Sequence, residues 1–226
     1  MSSSKNYWTD EKFNNRKSGR GCPNVSMFRF LGSNGVIRPN IKVLEVGFGG
    51  NFGADLIEFQ KRSATAKGVD LNKGFVDSFR EENPEIEVAV MDIGVDAYPF
   101  TDMFNLIFSR DTIYYLTDAE ILYHLKSSFD KIEQGGHFLC QIVEKDIAIP
   151  SLESSAPQST DFNRFLAATI SPIFPKENPV RFLNVDSLIK AATETGFKLV
   201  GCKTLIESFD LKETAFRVNR YFLFSK

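Results

Sequence analysis

One stretch of the chain, residues 43–70, constrains the fold more than any other: VLEVGFGGNFGADLIEFQKRSATAKGVD. A short apolar run that contains Glu45 leads into a glycine-rich turn, a helical pattern follows, and a second run ends at Asp70. Glycine is needed where a backbone passes close under a ligand, because a Cβ atom would fill that space. The order predicts a strand, turn, helix and strand unit with a nucleotide-binding pocket at the turn.

The two acids of this stretch indicate the charge of the ligand. A carboxylate at the tip of the second strand, Asp70, can accept two hydrogen bonds from a ribose diol. Glu45 would repel a pyrophosphate but would favour a cofactor that carries positive charge. A dinucleotide fingerprint also needs a glycine three residues after Gly49, and the chain has Phe52 there. The pattern therefore favours a cationic nucleoside over a dinucleotide, the alternative being an ordinary turn with scattered glycines.

Apolar periodicity extends the same architecture along the chain. The apolar run at 104–109 is typical of a central parallel strand. The last two predicted strands leave no room for a crossover helix between them, so we expect them to pair antiparallel. The prediction is an α/β fold, a Rossmann-like, doubly wound and mostly parallel sheet with a C-terminal antiparallel strand pair. Strands are predicted at 42–46, 66–70, 87–91, 104–109, 137–143, 198–208 and 215–226, and helices at 53–63, 73–82, 118–132 and 185–197.

Two regions lie outside this alternation of strands and helices. Residues 1–40 predict one or two short helices with loops, and they form a segment able to close over the cofactor as a gate; the alternative is a frayed tail. Residues 41–226 form the main domain. Within it, residues 145–180 are rich in proline, serine and threonine, and they predict a lid-like insertion with a helix around FNRFLAATI, over the substrate pocket.

Composition excludes several classes of protein. The chain has 226 residues, 42% of them hydrophobic, and a net charge of −2, which is typical of a globular domain without the basic excess of nucleic-acid binding. Its apolar runs are too short to cross a bilayer, and its first residues lack the apolar core of a secretion signal. Three widely spaced cysteines indicate neither a metal site nor a disulfide framework and favour the reducing cytoplasm. We expect Cys140 and Cys202 to be buried in strands.

Five motifs in the correct order resemble the class I S-adenosylmethionine (SAM)-dependent methyltransferases: VLEVGFGG, GVDLN, VMDI, FNLIFSRDTIYYL and GGHFLCQIVE. The resemblance implies SAM as cofactor and S-adenosylhomocysteine (SAH) as product. It implies that Asp70 binds the ribose and that Asp92 faces the adenine amino group beside Ile93. Asn51 departs from the pattern, because it replaces the third alternating glycine. The positions that the resemblance assigns to the cofactor are Glu45, Gly47, Phe48, Gly49, Asn51, Asp70, Leu71, Asp92, Ile93 and Ser109.

The run SRDTIYYL resembles, more narrowly, the phosphoethanolamine and related small-amine methyltransferases. Those enzymes have a histidine where this chain has Tyr114 and Tyr115. The implied reaction is an in-line displacement in which the acceptor loses a proton, and the candidates to assist it are Asp111, Tyr114 and Tyr115. The alternatives are that Asp111 caps the turn after the strand and that Tyr115 packs against a helix.

Three further side chains are candidates for ligand contacts. Arg110 can meet an anionic substrate group or form a surface ion pair. Glu144 follows the fifth strand, at the edge where ligands bind, or it is a solvated strand end. Arg20 can reach the carboxylate of the cofactor if the N-terminal segment closes as a gate. No residues have convincing metal-ligand spacing, so we predict no metal.

The sequence therefore predicts a cytoplasmic SAM-dependent methyltransferase that acts on a small molecule carrying an amine, hydroxyl or carboxyl group, with no nucleic acid and no membrane as partner. Two alternatives stay open. The first is a SAM-binding regulatory or scaffold module without catalysis, suggested by the missing histidine and by Asn51. The second is an NAD(P)-dependent oxidoreductase, which Phe52 and Glu45 disfavour.

Overall fold

The structure, a computed structural model, describes residues 21–144, 165–167, 180–208 and 216–226. Within them the helices are α1 (Val25–Ser33), α2 (Ala54–Lys61), α3 (Lys73–Glu82), α4 (Asp118–Lys131) and α5 (Val185–Thr195). The strands are β1 (Lys42–Val46), β2 (Thr65–Asp70), β3 (Glu87–Val90), β4 (Phe104–Ser109), β5 (Ile132–Glu144), β6 (Phe165–Ala167), β7 (Val180–Phe182), β8 (Lys198–Ser208) and β9 (Phe216–Ser225). Short 3₁₀ helices span Phe48–Asn51 and Ile113–Tyr115.

Seven strands form one sheet in the order β3-β2-β1-β4-β5-β9-β8. The first five are parallel, and β9 pairs antiparallel with both β5 and β8. The chain moves outward from β1 to β3 on one side and returns to β4 on the other, so the strand order reverses between β1 and β4. In such sheets ligands bind outside the carboxyl ends of the strands at this switch point.

Two apolar layers bury the sheet. Leu56 and Phe75, on α2 and α3, pack on one face, in the same cluster as Met27 of α1. Ile121 of α4 and Leu188 of α5 pack on the other face. Both layers are rich in phenylalanine rings, which serve mainly as core.

The predicted architecture is confirmed. Residues 42–46, 73–82 and 104–109 have the predicted bounds, and the C-terminal strands pair antiparallel as expected. The strand β5 begins five residues before the predicted residue 137, because the chain continues through Gly135 and Gly136 with a shift of register against β4. The helix predicted around FNRFLAATI is wrong at Phe165–Ala167, which pair with β7 as a strand.

The cysteine prediction holds for one residue only. Cys140 is buried in β5, next to the antiparallel pair. Cys202 is exposed, so the expectation of burial is wrong there. The reason is its position on β8, which is an edge strand of the sheet.

Candidate functional site

The glycine turn after β1 is built on left-handed backbone. Gly47 has a φ of 75° and Gly53 a φ of 70°, a region that costs other residues steric strain. A Cβ atom on Gly47 would lie 2.1 Å from the hydroxyl oxygen of Thr112, which follows β4. The turn therefore lies directly against the loop after β4, and glycine is required for this contact.

Asp70, at the tip of β2, faces the glycine turn. Its Oδ2 accepts a hydrogen bond from the backbone N–H of Gly49 at 2.8 Å, and its Oδ1 accepts one from Asn72 at 2.9 Å. A Cβ atom on Gly49 would lie 2.8 Å from Oδ2, so the close approach needs glycine. Burial raises the pKa of Asp70, although the backbone N–H donors oppose the shift. The acid and the turn thus form one unit at the carboxyl edge of the sheet.

Glu45, on β1, is a buried acid with an unused oxygen. Its side chain is 2% exposed and accepts a hydrogen bond from the backbone N–H of Leu56 in the first turn of α2. Its Oε2 has no hydrogen-bond partner. Burial raises the pKa of Glu45 well above its ordinary value, and the neighbouring Asp55 adds to the shift while Arg110 opposes it.

Asp55 and Arg110 form an ion pair beneath the turn. The carboxylate of Asp55 is fully buried and lies 3.0 Å from Nε of Arg110. It also accepts hydrogen bonds from the backbone N–H of Asn24 and from Nδ2 of Asn51, each at 2.7 Å. The ion pair expected of Arg110 is present, but it is buried rather than at the surface, because α1 and α2 cover it.

Asp111 is surrounded by donors of the protein. It has a φ of 54°, and its carboxylate accepts hydrogen bonds from Arg110 at 3.1 Å, from the hydroxyl of Tyr114 at 2.8 Å and from Nε2 of Gln141 at 3.1 Å. Burial raises the pKa of Tyr114 well above its ordinary value. The ring of Tyr115 packs against Tyr114 with centroids 4.7 Å apart and is only half-buried. These contacts hold the side chains of the run after β4 in place.

Several buried acceptors at this edge have no hydrogen-bond partner. They come from different elements: Ser109 pairs with Cys140, the residue before Gln141, whereas Glu45 lies on β1 and Asn51 in the turn after it. An unpaired buried polar atom costs free energy unless a ligand or water completes it. The atoms are Oε2 of Glu45, Oδ1 of Asn51, Oγ of Ser109 and Oε1 of Gln141.

The other predicted site residues differ in what they offer. The ring of Phe48 is fully buried against Phe75 and Phe79, so only its backbone faces the turn. Leu71 is partly exposed beside the edge. Asp92 accepts a hydrogen bond from the N–H of Gly94 at 3.0 Å within its own turn, and Ile93 is buried. Arg20 and the side chain of Glu144 lie outside the described residues.

Sequence reasoning missed four residues of the site: Asn24, Asp55, Gln141 and Tyr221. Asn24 begins α1 and donates through Nδ2 to the hydroxyl of Tyr221 at 2.8 Å. Tyr221 and Gln141 are register partners in β9 and β5. Only Asp55 had a local signal, because it follows Asn51 by four residues at the start of a helix. In the described parts of the chain, no cluster of acids, histidines and cysteines is arranged to hold a metal ion. The described helices are likewise too short or too polar for one of them to span a membrane.

Part of the chain is similar to known methyltransferases. Residues 44–140 match the family model described as a methyltransferase domain. Phosphoethanolamine N-methyltransferase 1 from Zea mays is 32% identical over 121 residues, which cover 52% of this chain and 23% of that protein. The chain therefore spans about a quarter of the length of this curated relative.

Solved structures share the fold over nearly the whole chain. A SAM-dependent methyltransferase from Methanosarcina mazei has a TM-score of 0.66 with 12% identity, covering 90% of this chain and 98% of the other. The glycopeptide N-methyltransferase MtfA complexed with SAM has a TM-score of 0.61 with 14% identity, covering 92% and 96%. Residues 44–140, which include the switch point, therefore match a methyltransferase domain, and the chain shares the fold of solved SAM-dependent methyltransferases.

Proposed function

We propose that this chain binds SAM at the carboxyl ends of β1, β2 and β4 and transfers its methyl group to a small-molecule acceptor, leaving SAH. The observation that carries the proposal is the buried carboxyl group of Glu45, whose Oε2 lacks a partner beside a turn that has no room for a Cβ atom at Gly47 or Gly49. A buried acid of this kind is costly unless it meets a cation. SAM is a nucleoside that carries both an ammonium and a sulfonium.

The remaining residues fit the other parts of such a ligand. Asp70 lies at the tip of β2 for the ribose hydroxyls, and the glycine turn leaves room for the backbone to approach the ligand closely. Asp92 and Ile93 follow β3, and we assign them to the adenine ring. These assignments make Glu45 and Asp70 the two acids on which binding depends.

SAM, when bound, supplies an already activated methyl group, so the protein mainly contributes alignment and the exclusion of water. The hydrogen bonds that Asp111 accepts come from three neighbouring side chains, whereas those of Asp70 come from backbone N–H groups. We therefore assign Asp111 a positioning role, holding the hydroxyl of Tyr114 and the amide of Gln141 in place. Tyr115 is the more exposed tyrosine and is assigned to contact the acceptor atom. The unpartnered Oε1 of Gln141 can accept a hydrogen bond from an N–H or O–H of the acceptor.

Arg110 bears on the class of acceptor. Its guanidinium is held by Asp55 and Asp111, with only 14% of the side chain exposed. An anionic acceptor would have to compete with two carboxylates for it. The proposal therefore favours an amine or hydroxyl acceptor over a carboxylate, and the likeness to a phosphoethanolamine N-methyltransferase supports an amine. Roles of Arg20 and Glu144 in binding ligands stay predictions.

The first experiment is calorimetry of the purified chain with SAM and with SAH. We expect one site of micromolar affinity, and binding of neither compound would overturn the proposal. The second is consumption of SAM in the presence of a panel of small amines, phenols and carboxylic acids. Turnover with an amine or phenol is the expected result.

A binding module without catalysis is the second candidate function. It is favoured by the occupied oxygens of Asp111 and by the tyrosines that stand where related enzymes have a histidine. Binding of SAH with no consumption of SAM across the panel would support this module and contradict the transferase.

A further inference from the structure

Asn51 occupies the position at which the methyltransferase pattern has a glycine, and its side chain is fixed. Nδ2 donates a hydrogen bond to Oδ2 of Asp55 at 2.7 Å. A carboxylate can only accept, so the amide must turn its NH₂ group toward Asp55 and its oxygen away. The oxygen of Asn51 is thus oriented by the protein before any ligand arrives.

This oxygen is buried and unsatisfied. Oδ1 of Asn51 has no hydrogen-bond partner, although it is shielded from solvent. The backbone of the same residue is packed as closely as it can be, since a Cβ atom on Gly21 would lie 2.0 Å from the carbonyl oxygen of Asn51. A side chain held in such a place keeps its oxygen for a donor that the protein does not itself provide.

The charges around Asn51 favour a cationic donor. Asp55 is fully buried and Glu45 nearly so, and the charge of Asp55 helps to raise the pKa of Glu45. Arg110 offsets Asp55, but it also pairs with Asp111. A cation bound here would find two carboxyl groups and an amide oxygen with one guanidinium to oppose it.

We propose that Asn51, oriented by Asp55, binds the ammonium group of the methyl donor and makes the site selective for nucleosides that carry this group. The proposal rests on the function proposed above and adds two residues to it. Asn51 is the ligand-binding residue, and Asp55, which acts through Asn51 and Arg110, is a positioning residue. The replacement of glycine by asparagine is then a gain of one hydrogen bond to the cofactor.

The decisive test compares two probes by calorimetry: SAH, and its deaminated analogue, which keeps the carboxylate. We expect Asn51→Ala to weaken the binding of SAH about 10-fold and to leave the binding of the analogue unchanged. Asn34→Ala, which removes a similar amide at the end of α1, is the matched control and should change neither. Asn51 does not have a positive φ, so alanine is tolerated by its backbone.

Asp55→Asn tests the positioning role. We expect it to weaken the binding of SAH at least as much as Asn51→Ala does, because it also removes a carboxylate near the bound ammonium group. The double variant should bind no more weakly than Asp55→Asn alone, because the contribution of Asn51 depends on its orientation by Asp55. Thermal unfolding of each variant checks that it is folded.

The outcomes separate the two proposals. If the wild-type chain binds neither SAM nor SAH, the proposed function fails and this inference fails with it. If the wild-type chain binds SAH but Asn51→Ala weakens SAH and its deaminated analogue equally, or neither, then the inference alone is overturned.

Discussion

Charged side chains are paired with one another at the amino end of the sheet, whereas an acid at the carboxyl end is left with an unpaired oxygen. At the amino end, Lys67 lies 2.7 Å from Asp102 and 2.5 Å from Glu87, and Asp102 also meets Lys42 at 3.4 Å. The hydrogen bond from Lys67 lowers the pKa of Asp102. At the carboxyl end, burial raises the pKa of Glu45, and one of its oxygens has no partner.

The difference shows which end is built for stability and which for a ligand. Charges that pair with one another contribute modestly to folding stability and need no ligand. A buried acceptor without a partner costs stability, and proteins keep such groups where a ligand completes them. The amino end therefore offers matched controls for every variant at the carboxyl end.

The largest expected effect is on cofactor binding. Asp70→Ala removes the acid at the tip of β2, and we expect the affinity for SAH to fall about 100-fold, as for the loss of two charge-assisted hydrogen bonds. Asp102→Ala is the control at the amino end and should leave the affinity unchanged. Calorimetry measures both. Equal losses in the two variants would erase the distinction between the ends.

A buried histidine away from both ends of the sheet should make the stability of the chain depend on pH in the acid range. His124, on α4, is fully buried beside Tyr98 and Ser128, and burial lowers its pKa from 6.5 to about 4. The unfolded chain takes up this proton first, so stability is lost as the pH falls from about 6.5 to about 4, by about 3 kcal/mol. Asp102, with its lowered pKa, contributes its own loss only below its unfolded value of 3.8.

Urea unfolding across this pH range checks the assignment. His124→Gln should flatten the dependence of the free energy of unfolding on pH between 6.5 and 4. If the variant keeps the slope of the wild-type chain, the acid sensitivity belongs to another group.

Glu45→Gln should separate stability from binding. The folded state holds the proton of Glu45 more tightly than the unfolded chain does, so the stability due to this group is present at low pH and is lost as the pH rises through its raised pKa. Glutamine does not titrate, and we expect the variant to gain about 1 kcal/mol in free energy of unfolding at pH 8 while its affinity for SAH falls about 10-fold. Lys67→Met at the amino end should do the opposite, lowering stability with affinity unchanged.

The smallest effect is a pH dependence of binding. The ammonium group of SAH favours the ionised form of Glu45, so the affinity of the wild-type chain for SAH should rise a few-fold as the pH increases through the raised pKa and then level off. Glu45→Gln should remove this rise. A wild-type affinity that does not change from pH 5 to 9 would show that Glu45 keeps one protonation state on binding.

Local signals in the sequence were enough for the elements and for the glycine turn. The apolar run of β4 and the amphipathic pattern of α3 gave the observed bounds, because each depends on residues close in the chain. Asp70 was also found in this way, since it follows the strand that the glycine turn introduces. The helix prediction fails at Phe165–Ala167 because their pairing with β7 depends on residues some 15 positions away.

By itself, the sequence determined a doubly wound sheet with a glycine turn and two acids at its switch point. Only the tertiary structure decided that Asn24, Asp55, Arg110, Gln141 and Tyr221 meet at that turn. These residues come from one helix, the N-cap of another, two strands and one loop, and no spacing along the chain reveals which of them share an edge. The physical reason is that periodicity records which face of an element is buried, whereas the partners of a buried charge are set by how the elements pack.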